Sequence, residues 1–419
     1  MTTTPAFLGA WGCMPNASEK RNINQLQASP LTSFTPSSVA GFNGGWALLC
    51  SSSASGPAFF EANHLDDLTL VDGDVLYVMC QIDITAWVHA TAGAQPFLVA
   101  DNARHAAIAG YATAATLRAL DTDTSIHGIL GDGTNTLDTG AVLTYSLATV
   151  YTLMMAVERV SSTSAKITVY QWSGGTWNDI GSASGTFSWS TFGSFKSVSA
   201  GSPITFAKGD NGTIYVSNVI PSVNVIPAGT MVCDSAVLVE TPDGSTYDEF
   251  VDAAAGATVN DDVDDVLGSE STADYMTSTS TTAQKTQELN FAAVSGITDT
   301  IRGIVVSVGV SVVPATANAT AYMAMRLSGT DSTFLDAYYG DSAWDTSGNG
   351  EAKDTHRFFE KDPAGATWTQ TNVNSATGVV RKVATGAAEQ WDIHSLVLQV
   401  LHGDVWTPPA AGARRIFVM

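Results

Sequence analysis

"YTLMMAVERVSSTSAKITVYQW", residues 151 to 172, decides the fold. In its first arm Tyr151, Leu153, Met155 and Val157 alternate with their neighbours. In its second arm Ile167, Val169 and Gln171 alternate with Lys166, Thr168 and Tyr170. Successive side chains of a strand point to opposite faces, so this period of two predicts strands with one buried face. "SSTSA" between the arms is a turn, and the whole reads as a β-hairpin.

The same texture extends in both directions. "GWALLCSSS", "PAFFEA", "VLYVMCQIDI", "QPFLVAD" and "VLTYSL" precede the hairpin, and "GTFSWSTFGSFKSV" and "GTIYVSNVIP" follow it. Each run is short and bounded by Gly, Asp or Ser, as in a many-stranded sandwich. A stretch with two prolines, "IPSVNVIPAGTM", then serves as a linker. Beyond it the near-continuous "GIVVSVGVSVV" predicts a central strand buried on both faces. "YMAMRL" alternates and is expected to be half exposed. The expected fold is all-β: two jelly-roll-like β-sandwich domains in tandem with an extended N-terminal arm. The arm covers 1–40, for docking or oligomerisation. The first sandwich covers 41–222, the linker 223–231 and the second sandwich 232–419.

The bulk numbers agree with a packed β-protein. Of 419 residues, 45% are apolar, which excludes a disordered chain. Only 14% are charged, so Ser, Thr, Asn and Gly must supply the polar surface. With 18 basic against 40 acidic residues and a net charge of -22, the charge balance disfavours nucleic acid and anionic membrane surfaces as partners. Cys13, Cys50, Cys80 and Cys233 show no CxxC spacing and read as buried small hydrophobes. The start, "MTTTPAFLGAWGCMPNASEKR", is not a secretory signal, and no window is apolar enough to span a bilayer. The chain is therefore expected to be made in a cytoplasm.

"KDPAGATWTQTNVNSATGVVRK", residues 361 to 382, carries a second structural signal. Pro363 ends the preceding strand. Thr369 or Thr371 caps a single helical turn over "QTNVN". That turn drops Trp368 onto the open end of a sandwich, and Gly378 lets the chain re-enter the sheet. Asp362, Pro363, Trp368, Asn374 and Gly378 thus form a structural lid. A sugar-stacking role for Trp368 is the rival reading.

Two resemblances follow from these segments. The "VLYVMCQIDI" strand, the long hairpin and "IYVSNV" resemble the concanavalin-like or laminin-G-like jelly roll over 41–222. The order of motifs over 230–385, closing on Asp362, Pro363, Trp368, Thr369, Val373, Asn374 and Gly378, resembles structural proteins of tailed bacteriophages. Those are tail-tip, tail-fibre or head-decoration modules, and this chain's "AGA" loop is shorter than theirs. The resemblance implies a virion component, with other virion proteins as partners and a host surface glycan as ligand. It implies a homo-oligomer, a trimer or a ring, whose arm at 1–40 docks on a neighbour. Deleting 2–35 is then expected to abolish incorporation while leaving both sandwiches folded.

Candidate chemistry is sparse. "NDDVDDV" at 260–266 fits no EF-hand register and reads as a solvated acidic loop. "DTDTS" and "GDGTN" offer Asp121, Asp123 and Asp132 as Ca²⁺ ligands, although turn chemistry accounts for them without a metal. Trp172, Trp177 and Trp189 stack on sugar rings if they share one outward face; pointing inward, as the sequence favours, they are core. None of the seven histidines shows HxH or HExxH spacing, and each reads as an ordinary surface or core histidine. No GxSxG elbow or phosphate loop occurs. Glu61, Asp83 and Glu158 lie on strand-like segments where a sandwich glycosidase would carry carboxylates. The expectation is a non-enzymatic, exposed structural component of a tailed-phage particle, with no cofactor beyond Ca²⁺. The alternative is a secreted carbohydrate-binding or polysaccharide-degrading jelly-roll protein. A third option, a bacterial surface adhesin, lacks an anchor segment.

Overall fold

The computed structural model describes residues 3–13, 24–25, 34–52, 58–88, 95–102, 111–119, 124–202, 211–242, 249, 251–252, 276–278, 284–313, 320–339, 353–382 and 390–408. Their architecture is all-β. The hairpin forms as the alternation predicts: strand Val150–Ser161 pairs with Ser164–Ser173, with Leu153 opposite Gln171 and Val157 opposite Ile167. Leu153, Met155, Val157, Ile167 and Val169 are all fully buried on one face.

Around the hairpin lies an eight-stranded sheet, here sheet one. Its order is Thr176–Thr186, Ser164–Ser173, Val150–Ser161, Val75–Val88, Asn211–Val223, Trp46–Ser52 and Phe34–Ser38, with Ala6–Phe7 added beside Asn211–Val223. Sheet two packs against it. Its order is Thr136–Asp138, Ser125–Gly131, Ala114–Ala119, Gln95–Asp101, Phe195–Ser202, Ala58–Leu68 and Asn24–Gln25, with Leu143–Thr144 also on Ser125–Gly131. Their inward side chains, among them Ile82, Leu153 and Val216 facing Phe60, Leu98, Leu117 and Val198, make one core.

Among the described residues the second sandwich contains eleven strands. Strand Val232–Pro242 begins beside Gln390–His402 and ends beside Lys285–Phe291, so it passes from one layer to the other. One layer holds Gln390–His402, Ile301–Val313 and Lys353–Phe359. The other holds Lys285–Phe291, Ala376–Lys382, Thr320–Leu327 and Leu335–Tyr339. Ile304, Val306 and Val308 meet Leu289, Met323, Met325 and Val380 in the core between them. Ile301–Val313 has a partner on each side, as its apolar run predicted. "YMAMRL" departs from expectation, because Ala324 on the outer face is as buried as Met323 and Met325.

The lid is built as its residue types suggest. Thr369 caps the turn Gln370–Asn374 by accepting from the Asn372 N–H at 3.1 Å. Asp362 Oδ1 accepts the backbone N–H groups of Ala364 at 3.0 Å and Ala366 at 2.8 Å, and its Oδ2 accepts from Asn372 Nδ2 at 3.0 Å. Pro363 starts the tight loop that these bonds close. Trp368 is 2% exposed, and its Nε1 donates to the Phe359 carbonyl at 2.9 Å, so it fills the sandwich end rather than facing a sugar. Asn374 ties the lid to Val294 through both its amide atoms, at 2.8 and 2.9 Å. Gly378 is needed for close packing: a Cβ there would lie 2.6 Å from Leu396 Cδ2 and 3.0 Å from Phe291 Cζ.

A third core joins the sandwiches. Met79, Met154, Trp177 and Ile220 from the outer face of sheet one pack with Ala228, Met231, Cys233, Val305 and Leu401. The chain between Val223 and Val232 lies in this seam. Asn43 Nδ2 donates to the carbonyls of Gly229 at 2.9 Å and Met231 at 3.2 Å, and Asn218 Oδ1 accepts the Cys233 N–H at 2.9 Å. The N-terminal stretch, expected as an arm for a neighbour, is in its described part built into its own chain. Trp11 is 1% exposed, pairs with Val219 and packs on Phe60 with ring centroids 4.6 Å apart. Gln399 Nε2 reaches the Gly12 carbonyl at 2.7 Å. Removing 2–35 would open both the first core and the seam, so the expectation that both sandwiches survive that deletion is corrected. All four cysteines are buried. Among the described residues no helix is long and apolar enough to cross a membrane.

At the edge of the seam His402 Nε2 lies 3.0 Å from Asp234 Oδ1, and its Nδ1 makes an ion-pair contact of 3.5 Å with Asp299. Its pKa is raised, first by the hydrogen bond to Asp234 and against the opposing effect of burial. A raised pKa stabilises the fold fully below the ordinary histidine value and loses that contribution as pH rises through the folded value. His402→Gln is therefore expected to destabilise the chain more at about pH 5.5 than at about pH 9, read by urea denaturation at both. Trp368→Ala is expected to lose about 3–5 kcal/mol in the same assay, the range for emptying a buried aromatic site.

Candidate active site

Parity assigns the faces of sheet two. Ala115, Leu117, Ile126 and Leu130 point into the first core. Thr116, Arg118, Ser125, His127 and Ile129 therefore point to the outer face, with Arg118 directly opposite His127 and Thr116 opposite Ile129. Strand Thr136–Asp138 runs alongside and sets Asp138 opposite Ile129, diagonal to His127.

This arrangement makes a hydrogen-bonded chain. His127 Nδ1 lies 3.2 Å from Asp138 Oδ1, and His127 Nε2 lies 3.2 Å from Ser125 Oγ. An ionised carboxylate only accepts, so Asp138 draws the ring proton to Nδ1 and leaves Nε2 as the basic nitrogen. Ser125 then donates to Nε2. Arg118 Nε donates to Thr116 Oγ1 at 2.9 Å, which draws the side chain along its own strand toward Thr116. Ser125 is buried at 2% exposure, the His127 side chain is 15% exposed and that of Asp138 48%. The chain of contacts thus runs from an open carboxylate to a buried hydroxyl. An imidazole polarised by a carboxylate, with an arginine at the cross-strand position, is equipped for general acid–base work.

The residues singled out from sequence are placed differently. Trp177 is 5% exposed and donates through Nε1 to the Pro227 carbonyl at 2.7 Å, inside the seam. Trp172 packs edge-on to it with centroids 5.2 Å apart, and Gly229 passes so close that a Cβ there would fall 2.2 Å from Trp172 Cγ. Trp189 is 5% exposed, donates to the Ser164 carbonyl at 3.1 Å and stacks with Phe187 and Phe192. Of the two placements left open by the sequence, the structure has the inward one: Trp172 and Trp177 sit under the linker and Trp189 in the first core.

Asp132 is fully buried. It accepts from the backbone of Thr134 at 2.8 Å, Asn135 at 2.6 Å and Ser188 at 2.6 Å, and from Asn135 Nδ2 at 2.8 Å. Desolvation pushes its pKa up, and these bonds together outweigh it, bringing the value to about 2. With its lone pairs taken by N–H donors, Asp132 closes a turn and is no Ca²⁺ ligand. Asp121 and Asp123 lie outside the described residues, as does "NDDVDDV". Among the described residues no group of three or more His, Cys, Asp or Glu could hold a metal. Asp83 is 6% exposed with its pKa raised by burial. It stands opposite Val150, while Glu158 stands opposite Val75 of the same strand. That is eight positions, roughly 26 Å of strand, too far for a glycosidase acid pair. The side chain of Glu61 is outside the described set.

Sequence reasoning passed over His127. The signal was present: "SIHG" puts Ser125 and His127 on one face of a strand, and "GDGTNTLD" folds Asp138 back beside them. It was hidden because the spacing belongs to a strand pair and to no known linear motif.

No protein-family model matches the chain, and no curated protein matches it. Several solved structures share its jelly-roll architecture. An endo-β-1,4-glucuronan lyase from the fungus Trichoderma reesei is 11% identical over 52% of this chain and 95% of its own, with a TM-score of 0.32. A conserved carbohydrate esterase from Shiga toxin-encoding bacteriophage phi24B is 14% identical over 53% of this chain and 100% of its own, at 0.33. Lectin II from Ulex europaeus is 10% identical over 46% and 92%, at 0.30. These likenesses concern fold. The expectation that the chain is not an enzyme is nonetheless corrected, since lyases and glycoside hydrolases stand among the similar structures. The physical flaw in that expectation is plain: on a sheet, reacting groups come from neighbouring strands, so the lack of a linear motif excludes nothing.

Asp132→Asn removes a charge that four donors hold. It is expected to cost about 1–3 kcal/mol in urea denaturation, with the same loss in calcium and in chelator.

Proposed function

We propose that this chain is a carbohydrate-active jelly-roll protein. It engages a polysaccharide on the outer face of sheet two and performs acid–base chemistry there, with His127 as the proton-transfer group. One observation carries the reading: His127 is held between Asp138 and Ser125, opposite Arg118. Asp138 fixes the tautomer, Ser125 is the proton donor to Nε2, and Arg118 supplies positive charge to an anionic group on the sugar or in the transition state. A sheet offers such groups at the strand spacing of about 4.8 Å, in a row that suits an extended polyhydroxy polymer. The finer reading places this activity on the exterior of a tailed-phage particle, in copies assembled as a trimer or ring. What supports it is the order of Asp362, Pro363, Trp368, Asn374 and Gly378, on which the resemblance to structural proteins of tailed phages rests.

The test uses the full chain with glucuronan, alginate and O-acetylated polysaccharides, following unsaturated ends, reducing ends and released acid. His127→Asn is expected to lower turnover by about 10²–10⁴-fold while polymer binding changes little. Equal turnover by His127→Asn, or no binding or turnover with any polysaccharide, would refute the reading.

A further inference from the structure

Where the seam meets the lid, the surface opens into a cavity of about 170 Å³ that the first site does not use. Its floor is apolar: Phe7, Val225 and Val405 line it, Phe7 at 7% exposure and the two valines half-buried. Its rim is polar and open: Arg302 and Glu360 are half-buried there, and Lys361 and Thr367 are exposed.

Every segment around this cavity is pinned through its backbone. Phe7 pairs with Ser222, Val405 forms a bridge with Pro227, and Lys361 forms one with Thr367. The Trp406 N–H donates to the Ile226 carbonyl at 2.8 Å, and the Gly403 N–H to the Thr300 carbonyl at 3.0 Å. Arg302 Nε donates to the Gly403 carbonyl at 2.9 Å, which ties that side chain to the neighbouring strand end. The bridge between Lys361 and Thr367 is the neck of the loop that Asp362 closes. The lid therefore does two things: Trp368 seals the core, and the residues at its neck stand on the rim. The cavity is formed before any ligand arrives, so binding need not order it.

Size and charge narrow the ligand. An apolar cavity of about 150 Å³ takes a benzene-sized ring, so there is room here for one six-membered ring. The rim carries both signs, Arg302 and Lys361 against Glu360, and Asp404 lies 3.9 Å from Arg302 Nη2. An ion of either sign meets a like charge as well as an opposite one, and exposed charges are screened. A wholly apolar ligand would strip water from the rim and return no hydrogen bonds. We propose that the cavity binds one pyranose residue of a glycan. Its hydroxyls donate to Glu360 and accept from Arg302 and Lys361, and its C–H face lies on Phe7 and the two valines. The site shares no residue with the one at His127 and gives the chain a second point of attachment.

The experiment titrates the full chain with the methyl glycosides of glucose, galactose and mannose, followed by saturation-transfer NMR, with leucine and acetate as charged probes. At least one glycoside is expected to bind saturably. Glu360→Gln, a change at a half-buried rim position, is expected to weaken it about tenfold, and Lys361→Ala similarly. His127→Asn is expected to leave that affinity unchanged. Absence of saturable glycoside binding, unchanged affinity in both rim variants, an equal loss in His127→Asn, or tighter binding of leucine or acetate would each overturn the proposal.

Discussion

Burial of sheet one's outer face under the linker is the constraint on which the rest of the molecule depends. Met79, Met154, Trp177 and Ile220 would present an apolar patch if the first sandwich stood alone. The chain from Val223 to Val232 and the strand beginning Ile301–Val313 cover them. The Trp177 Nε1 and the Asn43 and Asn218 amides satisfy the backbone of the covering segment, which would otherwise be costly to bury. Gly12 and Gly229 permit the approach: a Cβ at Gly12 would fall 1.7 Å from the Cys233 carbonyl oxygen.

This seam has a functional consequence. The aromatic residues best suited to stack on sugars are consumed by it, and the face that carries them is largely closed. Acid–base groups are instead found on sheet two, where Arg118, His127 and Asp138 remain partly or fully exposed. The two faces of the first sandwich thus have different duties. One attaches the second sandwich, and the other carries the site proposed here. The long-range order is the same in each half: alternation sets which side chains face in, and register sets which outward ones meet.

Local periodicity made much of the fold legible. The hairpin at 151–172, the central strand at 301–313 and the capped turn at 370–374 each depend on contacts within a few residues or on an unbroken apolar run. Thr369 carried its capping role in its spacing. The seam was not legible, because Trp172 and Trp177 look the same in sequence whether they face a sugar or Gly229. The N-terminal stretch was misread for a related reason. Its sparse anchors, Phe7 and Trp11, mark a segment that docks, without saying on what. The site was the least legible part. Ser125 and His127 share a strand face by simple parity, but Asp138 joins them only through a turn and a specific register, and Arg118 only through the neighbouring strand.

The most direct measurement is hydrogen–deuterium exchange of the full chain with and without a polysaccharide that it binds. The account predicts slowed exchange in the amides of 114–119 and 125–138, with 170–179 and 225–233 unchanged because they are already sealed in the seam. Protection centred on 170–179, with none at 125–138, would contradict it.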